Sequence, residues 1–552
     1  MRYALTLPLA AAVLALNVLP APGAERKAAP TAAFADSGHV VRHAPGAHAS
    51  TGRHGRRHSL AYFAHLTDTH IADEASPARH ERLYGQKPMF GGFWRPQEAF
   101  GPHVVDQTVR AVNRQRISRM PSAGGPAPLG FALVTGDLAD NAQVNEVRWA
   151  VRALEGGRLD PFSGRRISPR NPCGAPPAVR RRLNRAVTQR RYAGVAASRR
   201  ALARWPGSLG RAQRPFVAEG LAVPWFSVRG NHDALPQGHY GPAVVHPRSA
   251  PTGCRKVMAP RPTLAAVADP WGSLRRTLPG ATFVPPDPRR RFLRSPGEFR
   301  RLHGRADHAH GFGLTPAGQR RRSRGSALYY SFSPHPALRF VALDTTADAG
   351  GAGGNLDHPQ YRWLAEELRR ARKRDQLVVV YAHHPLEMMD NRAHDELAGR
   401  FDRDPRDSRP LHLGRTGRAS LRALLMRNPN VVLYLAGHKH YDRVWPNFRR
   451  SGRGFWQVIT NALAGAPQEA RMIELMDNGD GSLSIFTTML AHAAPAAAPA
   501  PGAALDSAGL ASLSRELAWA RRPGGRPAGA AGGPMRNVEL MMSDPRRARA
   551  AR

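Results

Sequence analysis

The sequence predicts an α/β protein in which two packed mixed β-sheets are flanked by helices and interrupted by long insertions. Three observations carry this expectation. Short apolar runs of strand length alternate with amphipathic, helix-length segments over part of the 552-residue chain. Elsewhere strand-like runs follow one another directly, and two long stretches break the rhythm altogether.

Taken in order, Arg2 precedes an apolar run from Ala4 to Leu19 and small or turn residues at Ala21, Gly23 and Ala24, so residues 1–24 read as a secretory signal peptide. The run is shorter than the roughly 20 residues of a membrane span, and Pro22 makes the cleavage site imperfect, which leaves an uncleaved anchor as the alternative. The expected location is secreted or cell-envelope associated, with no transmembrane helix in the mature chain. Residues 25–60 are polar, rich in His and Arg and without hydrophobic period, and read as a disordered linker.

The main domain is expected over 61–490. Its strands are Ala61 to Thr67, Phe131 to Thr135, Pro224 to Val228, Leu328 to Phe332, Leu338 to Leu343, Leu377 to Ala382, Val431 to Ala436, Phe455 to Thr460, Arg471 to Met476 and Ser482 to Thr488. Helices are expected over Pro96 to Ile117, Asn141 to Leu154, Pro359 to Lys373, where Trp363, Leu364 and Leu368 share a face, and Arg418 to Met426. Insertions at 156–223 and 234–326 are too long for plain connections and read as lobes, lids or partly disordered segments. Residues 491–552 form an Ala/Pro spacer and a basic C-terminal extension, in which Leu510 to Arg521 has helical spacing and Asn537 to Met542 reads as a late strand.

The formal charge is +40. Such a protein attracts polyanions, but the charge is almost all Arg, with Lys only at Lys27, Lys87, Lys256, Lys373 and Lys439, and no aromatic residues interleave it. A chain-wide compositional bias explains that pattern better than a nucleic-acid motif does. The two cysteines, Cys173 and Cys254, lie in irregular Pro- and Arg-rich stretches, which argues against metal binding; the sequence leaves open whether they are joined.

Five short motifs each follow a strand-like run: Asp68-Thr69-His70, Gly136-Asp137-Leu138-Ala139-Asp140-Asn141, Gly230-Asn231-His232-Asp233, His383-His384-Pro385 and Gly437-His438-Lys439-His440. A ligand just past the carboxyl end of a strand sits at one rim of a sheet, where loops from several strands converge. The Asp, His and Asn donors supply oxygen and nitrogen, a set that suits Mn, Fe or Zn without choosing among them. A carboxylate can bridge two ions, and Asp137 is placed to be that residue.

In order and wording these motifs resemble those of the calcineurin-like metallophosphoesterases, and most closely exported bacterial members with long inserts. The resemblance implies a four-layer sandwich and a dinuclear centre of two divalent or mixed-valence transition metal ions. One ion would be held by Asp68, His70, Asp137 and His440, the other by Asp137, Asn231, His383 and His438. It implies hydrolysis of a phosphoester by a metal-bound hydroxide, with His232 as general acid or transition-state stabiliser and Asp233 orienting its ring. Among neighbouring residues, Arg229 and Asn141 are the candidates for touching substrate, with Tyr441 and Arg443 weaker ones. His384 should face away from the ions, and His303, Arg305, Asp307, His308 and His310 form a His-rich stretch that could cap the site. The expected partner is a phosphoester, extending to nucleotides or other polyanions, and no motif specifies a protein partner. A nuclease, or a non-catalytic envelope protein that binds polyanions around a structural metal site, are the alternative readings.

Overall fold

A computed structural model describes residues 38–47, 50, 52–83, 94–168, 173–194, 196–241, 247, 249–257, 269–275, 280–303, 328–392, 411–520 and 536–547. The N-terminal signal-like run and residues Arg305, Asp307, His308 and His310 lie outside these.

The first half of the chain supplies strands β1 (Val40–His43), β2 (His58–Leu66), β3 (Phe131–Val134), β4 (Gly157–Leu159), β5 (Phe216–Ala218) and β6 (Trp225–Ser227). The second half supplies β7 (Tyr330–Phe332), β8 (Leu338–Ala342), β9 (Leu377–Tyr381), β10 (Val431–Ala436), β11 (Arg443–Phe448), β12 (Gly454–Ile459), β13 (Glu469–Asp477), β14 (Ser482–Ala491) and β15 (Val538–Ser543). Seven strands form one sheet in the order β1-β15-β14-β13-β2-β3-β6, and six form a second in the order β11-β12-β10-β9-β8-β7. Within these mixed sheets, β2, β3 and β6 run parallel, as do β8, β9, β10 and β12.

The central strands are buried on both faces, which is why β9 and β10 read as unbroken apolar runs, LVVVY and VVLYLA. The sheets meet through aromatic rings: Phe63 and Phe131 from the first stand edge-on to Phe340 of the second at 5.3 and 5.2 Å, and Phe226 stacks on Phe332 at 4.0 Å. The Tyr330 hydroxyl donates to the Ser227 carbonyl across the same gap at 2.8 Å.

Helices cover the outer faces. On the first sheet lie α1 (Gly101–Asn113) and α2 (Val144–Glu155). The 156–223 insertion then folds as α3 (Pro177–Thr188), α4 (Ala196–Ala201) and α5 (Ser208–Ala212), its ends closed by the antiparallel β4·β5 pair. Past β6 come α6 (Asn231–Ala234) and α7 (Pro296–Leu302). On the second sheet α8 (His358–Lys373) and α9 (Leu421–Arg427) bury Trp363, Leu364, Leu368, Leu421 and Leu424 against the strands, completing four layers. The last helix, α10 (Ser507–Ala520), packs against α1.

Three expectations change. Residues 40–43, read as part of a linker, form a parallel edge strand against β15; four polar-flanked residues are too few to show a hydrophobic period. The C-terminal residues read as an extension are part of the architecture, because β15 sits between β1 and β14 and α10 buries Leu510, Leu513 and Leu517. The helix expected from Pro96 begins as a 3-10 turn over Pro96–Phe100 and ends at Asn113.

Cys173 and Cys254 are joined, with Cα atoms 5.8 Å apart, and so staple the first insertion to the second. Both cysteines sit in a buried cluster with Phe162, Leu183, Tyr192 and Val284.

Candidate metal centre

All five motifs occupy the carboxyl ends of parallel strands, β2, β3 and β6 in the first sheet and β9 and β10 in the second, so the two sheets bring their loops to one rim. Each loop reverses sharply. Asp68, His70, Asp137, His438 and His440 all take positive φ, between 40° and 68°, a conformation costing a non-glycine residue about 1–3 kcal/mol. Strain at these five places turns the side chains back over the rim. Two motif glycines allow the loops to approach: a Cβ on Gly230 would strike the Asp137 carboxylate, and one on Gly437 would strike Thr67 and the Asp68 carboxylate.

The side chains converge in two groups. In the first, His70 Nε2 lies 3.2 Å from His440 Nε2, and Asp68 Oδ1 lies 3.2 Å from His440 Nε2 and 3.9 Å from His70 Nε2. In the second, Asn231 Oδ1 lies 3.0 Å from His383 Nε2 and 3.1 Å from His438 Nδ1, and those two nitrogens are 3.2 Å apart. Asp137 joins them. Its Oδ2 stands 3.6 Å from His70 Nε2 and 3.2 Å from His383 Nε2, while its Oδ1 accepts the His232 N–H at 2.8 Å.

Hydrogen bonds outside the cluster fix what each atom offers inside it. His383 Nδ1 donates to the Thr135 carbonyl (2.8 Å), so its Nε2 presents a lone pair; Asn231 Nδ2 donates to the Gly238 carbonyl (3.0 Å), so its Oδ1 points inward. His70 Nδ1 faces Asp140 Oδ1 at 3.3 Å. Lone pairs facing one another at about hydrogen-bond distance repel unless positive charge lies between them, so this donor set fits cations.

The electrostatics agree. Burial alone would favour protonated Asp68, yet His440 and His383 hold it down at about 2. Burial opposes charge on His383, but Asp137 and Asp68 push it up to about 9, so the centre draws positive charge to this nitrogen. Burial and the neighbouring His384 and His383 hold His438 well below the ordinary imidazole range, so the cluster does not simply fill with protons.

Several expected roles change. Asp233 does not touch the His232 ring: its oxygens accept the backbone N–H groups of Ala139 and Gly230, both at 2.9 Å, tying the third motif to the second. The His232 ring is held instead by the Asp140 carbonyl, to which Nδ1 donates at 2.6 Å. Arg229 is buried with its guanidinium between Asp344 (3.1 Å) and Asp348 (2.9 Å), its charge already met and unavailable to a phosphate. Asn141 is also buried, accepting from the Gln237 N–H at 2.8 Å and donating to Gln143 at 3.3 Å.

His384 faces away, bonded to Thr345 Oγ1 (2.8 Å) and the Ala352 carbonyl (3.0 Å). His303 is a core residue rather than a cap: it packs on Trp225 and bonds the Phe299 carbonyl at 2.8 Å. Arg443 lies over the Trp445 ring at 4.2 Å, and Lys439 over Tyr441 at 6.0 Å.

Three residues near the centre have no expectation attached to them in the sequence. Arg79, fully buried, spans Glu74 (2.9 Å), Glu98 (2.8 Å) and Asp140 (3.5 Å), and so braces the carboxylate facing His70. Arg95 pairs with Glu98 and lies close enough to His70 and His440 to disfavour their protonation. His239 stands 6.4 Å from the His232 ring and is held at about 4 by burial and by His232. None of the three belongs to a spaced motif.

The family model for calcineurin-like phosphoesterases matches residues 192–442, which takes in the third, fourth and fifth motifs. A comparison with curated proteins finds no match. Among solved structures, the chain is similar to a dimetal phosphatase from Danio rerio, at 12% identity over 79% of this chain and 97% of that one, with a TM-score of 0.34.

Proposed function

We propose that this chain works as a calcineurin-like phosphoesterase, the family whose model matches residues 192–442, and that its metal-dependent phosphoester hydrolysis runs at a two-ion centre with Asp137 as the shared ligand. One ion is assigned to Asp68, His70, Asp137 and His440, the other to Asp137, Asn231, His383 and His438. The observation that carries this is the position of Asp137 Oδ2, 3.6 Å from His70 Nε2 and 3.2 Å from His383 Nε2, with the other carboxylate oxygen already engaged by a backbone N–H. The donor types favour Mn, Fe or Zn. When bound, the ions supply charge that offsets the phosphate oxygens and acidify a water for attack.

The remaining chemistry falls to side chains. His232, with Nδ1 donating to the Asp140 carbonyl, has Nε2 as its working atom; protonated there, it donates to the departing oxygen and recovers its proton from solvent afterwards. Its ring stands 4.5 Å from that of His70, so a group placed against the first ligand set is within its reach. Arg95 is the candidate for the phosphate-facing role first expected of Arg229: its charge is felt at His70 and His440, its one carboxylate partner, Glu98, is shared with Arg79, and 12% of its side chain is exposed. Asp140, held ionised by His70 and Arg79 against the effect of burial, orients the His70 ring for its ion.

An exported location is part of the same reading. It is supported by the signal-like run from Ala4 to Leu19 and by the Cys173–Cys254 disulfide, a bond that persists in oxidising compartments.

The test is hydrolysis of p-nitrophenyl phosphate and bis-p-nitrophenyl phosphate by protein supplied with Mn, Fe or Zn, beside an Asp137→Asn variant, with bound metal measured on both. Wild type should hold two ions and turn over at least one ester, the ratio of rates separating mono- from diesterase. The variant should lose an ion and about a thousandfold in rate, the several kcal/mol a metal contributes. A variant that keeps two ions and full turnover removes Asp137 from the centre; two ions without turnover of any ester favours the binding-protein reading.

A further inference from the structure

Resting on the phosphoesterase reading, we propose that the arginine lobe of residues 161–218 is a docking surface for nucleic acid, which presents its phosphodiester backbone to the metal centre. Across the whole chain, 81 Lys and Arg face 41 Asp and Glu, about two to one. Residues 161–218 hold 14 Arg and no Lys, Asp or Glu. A uniform compositional bias predicts several acidic residues in a stretch of this length, so the lobe departs from the background that explains the charge elsewhere.

Folding does not neutralise it. Among the described residues of the lobe, Arg181, Arg182, Arg185, Arg191, Arg200 and Arg204 are exposed and none forms an ion pair; Arg190 alone does so, with Asp160. Helix α3 buries only Leu183. The charge is carried on a fixed body: Leu202, Trp205 and Leu209 pack with Phe100, the Cys173–Cys254 bridge ties the lobe to the second insertion, and Gln213 clasps Tyr192 at 3.1 and 2.7 Å. Its root is beside the chemistry. Ser198, next to exposed Arg199 and Arg200, hydrogen-bonds Glu74, four residues past His70, and Glu74 in turn pairs with the Arg79 that braces Asp140.

The surface also selects among polyanions. Stable anchoring of a basic surface on an anionic membrane takes a second signal beside the charge, an apolar face or a lipid chain that sinks between headgroups. The large hydrophobic side chains exposed among the described residues are only Ile117 and Val217, which is no such face. A ridge of guanidinium groups without an apolar wedge matches a polymer of phosphodiesters, where each neutralised phosphate releases a condensed counterion.

The experiment measures binding of a fluorescent oligonucleotide to the full-length, metal-loaded protein by anisotropy from about 50 to 200 mM salt, and its cleavage on a gel. The comparison is a variant carrying Arg181→Gln, Arg182→Gln, Arg185→Gln and Arg200→Gln, with the corresponding Arg→Lys variant as a control that keeps charge. Wild type should bind and cleave the oligonucleotide. The Gln variant should lose at least tenfold in affinity and in kcat/KM on it, its log K against log salt slope falling by about 0.7–0.9 for each phosphate it no longer neutralises. The Lys variant should retain most of both, and all three should hydrolyse bis-p-nitrophenyl phosphate equally. Equal oligonucleotide binding or cleavage by wild type and the Gln variant overturns the proposal, as does tighter binding of wild type to phosphatidylglycerol vesicles than to the oligonucleotide. Failure of the metal-centre reading shows up separately, as absent bis-p-nitrophenyl phosphate turnover in every protein.

Discussion

His232 is held by the backbone of Asp140, its Nδ1 donating to that carbonyl at 2.6 Å, while the neighbouring Asp233 carboxylate serves two backbone N–H groups instead. The two residues therefore separate in their effects. His232→Gln should lower kcat by about 10²–10⁴-fold on esters with poor leaving groups and far less on p-nitrophenyl esters, whose leaving oxygen needs no proton. Asp233→Asn should cost stability, by leaving one backbone N–H facing an amide donor, and should leave the leaving-group dependence as in wild type. Steady-state rates on a leaving-group series, with thermal melts of both variants, decide this. Loss of that dependence in Asp233→Asn would return the ring-orienting role to the carboxylate.

Arg229 sits between Asp344 and Asp348 with only 4% of its surface exposed. Arg229→Ala strands two carboxylates in a partly buried site, so urea unfolding should show a loss of about 3–5 kcal/mol. The KM for a phosphoester, measured at a temperature where the variant is folded, should stay close to wild type. A selective rise in KM with unchanged stability would instead mean that the guanidinium leaves its carboxylates for substrate.

Reducing or removing the staple between the insertions should be felt in stability before activity. The bridge closes a loop of 81 residues, and Cys173→Ser with Cys254→Ser should lower unfolding free energy by about 2–4 kcal/mol. Bound metal should be unchanged, since both cysteines lie in the Phe162 and Val284 cluster and in none of the ligand groups. A thermal melt with and without reductant, followed by metal analysis, checks both halves.

Acid should destabilise the fold in a window set by buried neutral histidines. Burial, then Arg471, hold His65 down at about 3 between Thr135 and Thr460, and burial holds His103 at about 4 where α1 meets Ser507 and the Ala212 carbonyl. Because these folded values lie below the unfolded value near 6.5, the stability is fully present above about pH 6.5 and is lost as pH falls toward 4. Each contributes a slope of up to about 1.4 kcal/mol per pH unit. Urea titrations at pH 7 and pH 5 should show it, and His103→Gln should flatten the slope by one proton's worth; an identical slope in that variant would remove His103 from the explanation.

The convergence of these side chains was legible because chemistry and position coincide: each of Asp68, Asp137, Asn231, His383 and His438 follows a strand whose apolar run is visible, as LVVVY before His383. Backbone partners carry no such signature. Nothing about residue 140 announces that its carbonyl holds His232, and nothing near Arg229 in sequence points to carboxylates 115 and 119 residues away. The positive φ at Asp68, His70, Asp137, His438 and His440 was equally hidden, since Asp and His do not mark left-handed turns as Gly does. Strand β11 escaped because its RVWPNF run places Pro446 and polar residues on a sheet edge, where a missing N–H is tolerated. The insertion helices were obscured by the arginines that cover them.

The rim on which these side chains gather is also completed late along the chain. His70 meets His440 across 370 residues, and β2, which carries Asp68 and His70, takes β13 as its neighbour on one side. Pairing this distant in sequence is slow to form. A chain emerging as far as Asp137 holds three ligands without the histidines that enclose them, and only when β10 and β13 dock do both donor groups close. Were the centre loaded as proposed, ions would meet a complete donor set only in the fully folded chain, so the full complement of metal should be held by the completely folded protein and by no shorter stretch of it.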